Sequence, residues 1–216
     1  TVDADLVASF QRNDLRLQAT GGVSIFDNAI STLLVDNPRR STDVSGGNGA
    51  RVGALALYPD NSQVRGAVAL TTVLPRRTAL AATLGMSQTT QDDPLLGFTT
   101  NTAIVTGPVS INDSLPAKSA DAKAVQLNAD VRLSSNLMDA LRGVVRFKYD
   151  DYDNQTPERN FLGRVPYEAS LQRYLELHNK AYANTNWHTG VDLDYRVTPA
   201  VKVGATYEYR DRERIV

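Results

Sequence analysis

The fold class this sequence predicts is all-β: an antiparallel transmembrane β-barrel, with about eight long strands present. Three observations predict it. Apolar and polar residues alternate with a period of two over long stretches, the pattern of strands whose successive side chains point to opposite faces. The stretches run to about 12–15 residues, beyond the roughly 5–6 usual in globular sheets and enough for the about 9–11 of a tilted membrane-crossing strand. Short turns alternate along the chain with long polar connections, the habit of barrels whose loops are short on one side of the membrane and long on the other.

The first hairpin, near 4–26, sets Leu6, Ala8 and Phe10 before an Asn13-Asp14 turn and Leu15, Leu17, Ala19, Val23 and Ile25 after it. The second, near 62–89, carries Val64, Val68, Leu70 and Leu74, a Pro75-Arg76-Arg77 turn, then Leu80, Ala82, Leu84 and Met86. In the third, near 121–151, Val125, Leu127, Ala129, Val131 and Leu133 alternate with Gln126, Asn128, Asp130 and Arg132. Past Ser134-Ser135-Asn136 the pattern resumes: Leu141, Gly143, Val145, Phe147 and Tyr149 lie opposite Arg142, Arg146, Lys148 and Asp150, with Val144 the exception. In the fourth, near 184–212, Trp187, Val191, Leu193, Tyr195 and Val197 oppose His188, Asp192, Asp194 and Arg196. After Thr198-Pro199, Val201, Val203, Ala205, Tyr207 and Tyr209 oppose Lys202, Thr206, Glu208 and Arg210. The turns fall near 13, 75, 135 and 198, so an architectural unit of about sixty residues repeats.

Between the hairpins lie long loops, 27–61, 90–119 and 152–183. They are punctuated by Asn37-Pro38, Gly46-Gly47-Asn48-Gly49, Pro59-Asp60-Asn61, Asp92-Asp93-Pro94 and Asn154-Gln155-Thr156-Pro157. A short extra strand fits Arg51–Tyr58. Residues 1–216 read as a single barrel segment.

Composition narrows the function. A formal charge of −1 gives none of the basic excess of a nucleic-acid binder. There is no cysteine, which rules out disulfides, thiolate zinc sites and c-type haem attachment through C-x-x-C-H within this chain. No apolar run reaches the about 18 residues of a membrane helix, a test that strands escape because they alternate. In a barrel the apolar face meets lipid and every backbone polar group pairs between strands. The other face then lines the interior with Arg132, Arg142, Arg146, Lys148, Asp192, Asp194, Arg196, Lys202, Glu208 and Arg210. Phe10, Phe26, Tyr58, Tyr149, Tyr152, Tyr182 and Tyr209, near strand ends, suit interfacial aromatic girdles.

If the short turns face the periplasm, the order of turns puts both chain ends on the outer side, whereas complete bacterial barrels begin and end in the periplasm. The ending Arg214-Ile215-Val216 also lacks a terminal aromatic residue. The expectation is a section of a larger barrel.

Chemistry-bearing constellations are sparse. Asp150, Asp151, Asp153, Asn154 and Glu158 could offer oxygen ligands to Ca²⁺, but their spacing is not that of an EF-hand, and a solvated loop is the plainer reading. Gln91, Asp92 and Asp93 read the same way. His178 and His188 are the only histidines; without a clustered partner each reads as a loop or interior residue rather than a metal or haem ligand. Gly46-Gly47-Asn48-Gly49 has no Lys-Ser/Thr after it, so it is a flexible loop and not a phosphate loop. Asn154-Gln155-Thr156 fits a glycosylation sequon, which carries little weight in a bacterial membrane protein. No nucleophile-elbow motif is present, and no enzyme is expected.

The loop and strand-end motifs carry a resemblance. They are Phe26-Asp27-Asn28, Asp36-Asn37-Pro38, Tyr58-Pro59-Asp60-Asn61, Gln91-Asp92-Asp93-Pro94-Leu95-Leu96, Ser114-Leu115-Pro116-Ala117-Lys118, the run Tyr149–Pro157, and Tyr207-Glu208-Tyr209-Arg210. In this order, interleaved with these strands over most of the chain, they resemble the MtrB/PioB family of decahaem-associated outer-membrane proteins. One departure is Pro116-Ala117, where a glycine-containing variant is expected. The resemblance implies a large barrel in the bacterial outer membrane, of which eight strands are about a third. It also implies a sheath around a periplasmic multihaem c-type cytochrome, with an extracellular cytochrome as a further candidate partner. Electrons would cross the membrane through haem that the partner carries, with no cofactor held by this chain. The interior charges then become candidate docking contacts; ordinary hydration of a barrel interior is the plainer reading. The alternatives are a porin-like solute channel and a soluble β-sandwich binding module.

Overall fold

The computed structural model describes residues 1–47, 49–75, 77–106, 109–165 and 172–215. Among them there is strand, turn and one short 3₁₀ turn. The elements are β1 (Val2–Arg12), β2 (Leu15–Phe26), β3 (Thr32–Asp36), β4 (Val52–Ala56), β5 (Asn61–Leu74), β6 (Thr78–Gln91), β7 (Val105–Thr106) and β8 (Val109–Ser110). The 3₁₀ turn Ile111–Ser114 comes next, then β9 (Ala122–Met138), β10 (Leu141–Asn154), β11 (Asn160–Arg164), β12 (Gln172–His178), β13 (Ala183–Thr198) and β14 (Val201–Ile215).

Eight of these build one antiparallel sheet in the order β1-β2-β5-β6-β9-β10-β13-β14. It is an open meander with β1 and β14 at its edges. The tight turns need few residues. Asn13 and Asp14 join β1 to β2, Asp139 and Ala140 join β9 to β10, and Pro199 and Ala200 join β13 to β14. Asn13 and Arg77 take a positive φ, 52° and 55°, the left-handed geometry that hairpin loops use. Arg76, in the β5–β6 turn, lies outside the described residues, as do Asn48 and Val216. At the last turn the Thr198 hydroxyl accepts the amides of Ala200 (3.3 Å) and Val201 (3.1 Å).

Register sorts the side chains. Leu17 stands beside Phe10 and Leu70, Leu84 beside Val68 and Ala129, and Val145 beside Leu133 and Val191. One face is therefore apolar across the whole sheet, and nothing among the described residues covers it: Leu6, Phe10, Val68, Leu84, Met86, Val145, Leu193, Val203 and Tyr207 are all exposed. An uncovered apolar face of this extent, on strands long enough to cross a bilayer, suits a hydrocarbon phase. On β10, β13 and β14 the apolar rows run from Tyr195 and Val203 up to Tyr149 and Trp187, where Asp151, Asp211 and Glu213 take over the same face. Those carboxylates mark where the strands leave the membrane.

Phe147, Tyr149 and Trp187 pack at that border, with ring centroids 5.6 and 4.5 Å from the indole. The girdle expected from sequence is thus corrected in part. Phe26 and Tyr152 pair with Asn61 and with Gln126 and Asn184, which puts them on the polar face, because each is one residue out of step with the apolar row. Tyr58 and Tyr182 lie outside the long strands.

The long connections are folded. β3 and β4 pair as a hairpin, as do β7 with β8 and β11 with β12. The best-buried apolar side chains belong to the second connection: Ile111 is 1% and Ile104 is 3% exposed. A one-sheet wall has no core of its own, so burial concentrates where loops pack on loops.

Candidate functional site: the polar face and its loop cap

All ten charges expected to line the interior lie on one face. Arg132 is across from Arg146, and Lys148 is flanked by Asp130 and His188. Arg142 is across from Asp194, His188 from Arg210, Asp192 from Thr206 and Arg196 from Lys202. The structure adds charged residues that sequence reasoning missed. Asp3, Asp5, Arg16 and Arg65 charge the β1–β5 half, while Arg212 and Arg214 extend the β14 row. On β9 to β14, Arg132, Arg142, Arg146, Lys148, Arg196, Lys202, Arg210, Arg212 and Arg214 share the face with Asp130, Asp150, Asp192, Asp194 and Glu208. Basic groups outnumber acidic ones on this half. The neighbouring strip of Ala67, Ala69 and Thr71 on β5 with Ala79, Ala81 and Thr83 on β6 is small and uncharged.

Glycines let ion pairs skip a strand. Arg65 on β5 reaches over β2 to Asp5 on β1, Nη2 lying 2.8 and 2.9 Å from the two carboxylate oxygens. The path crosses Gly22, where a Cβ would collide with Asp5 Oδ1 and stand 2.9 Å from Arg65 Nε. Arg146 on β10 bonds Asp192 at 2.9 Å and reaches over β13 toward Glu208 on β14 at 3.7 Å. It passes Gly190, where a Cβ would meet Arg146 Nε at 3.4 Å. Val144, the apolar exception in the sequence, sits on this same face and is only 6% exposed.

The candidate Ca²⁺ ligands do not converge. Asp150, Asp151, Asp153 and Asn154 end strand β10 rather than forming a loop, and strand alternation sends Asp150 to one face and Asp151 and Asp153 to the other. Each of the others has a local task. Asp151 accepts the Thr185 hydroxyl at 2.6 Å, Asp153 the Gln155 amide at 2.7 Å, and Asn154 the Thr156 N–H at 3.1 Å. Glu158 faces Lys180 at 4.0 Å. Among the described residues no group of three His, Cys, Asp or Glu side chains could hold a metal ion. The histidines are apart as well: His178 is in the β11–β12 hairpin and His188 in the polar face.

The sequence motifs turn out to be clasps. Asn28 donates through Nδ2 to the Tyr58 carbonyl at 2.9 Å, and its own N–H goes to Asp60 at 2.6 Å. Asp60 in turn donates its N–H to Asp93 at 2.9 Å, and Asp92 accepts the Ser119 hydroxyl. Asn37 donates to the Ala50 carbonyl at 2.9 Å. The Lys123 N–H goes to Thr156 Oγ1 at 3.2 Å. Each of these bonds ties a loop to its own strand end or to the next loop, whereas the motif Tyr207-Glu208-Tyr209-Arg210 is plain strand within β14.

Asp43 locks the first two connections together. It accepts the Arg51 N–H at 2.7 Å, and the Thr102 hydroxyl and N–H at 2.6 and 3.1 Å. The Thr102 hydroxyl, then the Arg51 and Thr102 amides, hold its carboxyl down at about 2. Asn101, buried, donates to the Val44 carbonyl at 2.9 Å. Of the glycine run read from sequence as flexible, the three described glycines lie beside this lock. Gly46 and Gly47 have φ of 87° and 57°, and a Cβ on Gly49 would strike the Val44 carbonyl.

Comparison with known proteins gives two findings. The family described as "Putative outer membrane beta-barrel porin, MtrB/PioB" matches residues 1–215. Over 202 residues the chain is 27% identical to "Outer membrane protein MtrB" of Shewanella baltica (strain OS185), covering 88% of this chain. The chain spans 25% of the length of that relative.

Proposed function

Because the chain belongs to the MtrB/PioB family of porin-like outer-membrane β-barrels, we propose that it is wall from a barrel that sheathes a multihaem c-type cytochrome for electron transfer across the outer membrane. The name of the Shewanella relative supports this reading. The observation that carries it is the polar face: a dense, mixed array of charged side chains, in which two ion pairs reach across an intervening strand. Fixed charges suit a surface that must match a folded partner. The wall supplies insulation and position, and the haem of the partner supplies the redox chemistry. A porin-like barrel is not an enzyme class, and the described residues give no catalytic constellation.

The family's description as a porin favours a second reading, a lumen open to small solutes. One experiment separates the two. The full-length protein is pulled from outer membranes in mild detergent and its absorbance spectrum recorded. The sheath predicts a stoichiometric c-type Soret band that stays with the barrel. A haem-free barrel that conducts ions in a planar bilayer overturns the sheath and leaves the channel.

A further inference from the structure

We infer that Lys148, His188 and Arg210 form a carboxylate-binding row just inside the charged border of the wall, next to the Tyr149–Trp187 row, the contact through which the enclosed partner is held in rotation and height; the identity of that partner rests on the sheath reading above. The three residues lie on adjacent strands in direct register, Lys148 opposite His188 and His188 opposite Arg210. Neighbouring strands are about 4.8 Å apart, so the row presents its N–H groups at a spacing that one carboxylate or two can bridge.

Internal acids satisfy the row only in part. Glu208 lies 3.0 Å from Arg210, 3.8 Å from His188 and 3.7 Å from Arg146, so one carboxylate is shared among three basic groups. Lys148 has Asp130 only at 4.0 Å. His188 Nε2 is shielded from solvent and has no hydrogen-bond partner. A recess of about 530 Å³ opens along the row. Two acidic residues share its wall with Lys148, Arg210 and Arg212: Asp211, opposite Trp187, and Asp150, in register with Asn186; Asn186 is itself opposite Arg212 and accepts its Nε–H through Oδ1 at 2.7 Å. Lys148 and Arg210 stand two strand spacings apart, about 10 Å, and each can meet a carboxylate through charge-assisted hydrogen bonds, which a wall that excludes bulk water strengthens. The carboxylates can come from acidic side chains or from haem propionates of the partner.

The test uses the full-length barrel with its copurified cytochrome. Salt is raised stepwise and the haem retained on the barrel is read. The double variant K148E/R210E is expected to release haem at roughly threefold lower salt than the unaltered protein, because its charges now repel carboxylates. K148Q/R210Q should fall between. Retained heat-modifiable migration of each variant on gels shows that the barrel has assembled. Equal retention by an assembled K148E/R210E overturns the row. Carbodiimide coupling of the complex then identifies the source: Lys148 joined to a partner Asp or Glu, or to a propionate, supports the row, and Lys148 joined only to its own Asp130 counts against it. If no haem copurifies with the unaltered protein, the sheath reading has failed, and the row is judged in a planar bilayer. There it predicts anion preference that K148E/R210E reverses, and unchanged selectivity overturns it.

Discussion

Gly22 and Gly190 decide where the long charged side chains of the polar face can lie. A methyl group at Gly22 occupies the line between Asp5 and Arg65. Both partners are half-exposed, and such pairs contribute about 0–1 kcal/mol, so Gly22→Ala should cost no more than about 1 kcal/mol. The loss should vanish in an Asp5→Ala background, where no pair remains to break; urea unfolding of the lipid-embedded barrel measures both. Arg146 matters more, because it serves both Asp192 and Glu208. Arg146→Met should cost about 1–3 kcal/mol in the same assay. Neither glycine stands out in the sequence. Their meaning appears only once register sets β1 against β5 across β2, and register is a long-range property that a single hairpin pattern does not contain.

At the scale of elements, the hairpins were legible and the connections were not. Period-two alternation reveals two-faced strands because lipid and lumen demand opposite chemistry on successive residues. The connections meet no such demand. Their order comes from single Asn, Asp and Thr side chains bonding to particular carbonyls and amides, and polar composition alone reads as plain loop. The expected short strand at 51–58 is present as β4, while its partner β3 went unseen: Leu33, Leu34 and Val35 form a continuous apolar run with no alternation. The Asp43 lock gives a pH test. A carboxyl held at about 2 against its ordinary 3.8 lends its contacts fully above the ordinary value and loses them as pH falls toward 2. Hydrogen exchange at the Arg51 and Thr102 amides should therefore accelerate on acidification between those values, beyond the intrinsic chemical rate. Asp43→Asn should show the faster exchange already at neutral pH, with the strand amides unchanged. In the β5–β6 turn, Arg77→Gly removes a side chain from left-handed backbone and should stabilise the hairpin by about 1 kcal/mol.

At the scale of the whole molecule the two faces define the protein: one wets into lipid, the other into an interior that we assign to a cytochrome. Leu84 and Thr83 are adjacent in β6 and point to opposite faces. Leu84→Arg at mid-wall should cost about 2–4 kcal/mol in lipid vesicles, and Thr83→Arg much less. The family and its outer-membrane setting could be read from the loop motifs because those clasps fix loop geometry residue by residue. Which of the charges would meet a partner could not be read from either sequence or fold, since a mixed row of charges hydrates as readily as it docks.

The central claim is an occupied interior, and cysteine accessibility tests it most directly. This segment has no cysteine, so Leu84→Cys and Thr83→Cys each add one thiol to it, on opposite faces, and labelling of the full-length barrel is read against the unaltered protein. The account predicts that the Leu84→Cys thiol reacts only with lipid-soluble reagents. It predicts that the Thr83→Cys thiol is shielded from a water-soluble maleimide in cells that make the cytochrome and reactive in cells that lack it. Equal reaction of the Thr83→Cys thiol in both cells would contradict it and show a lumen that stands open.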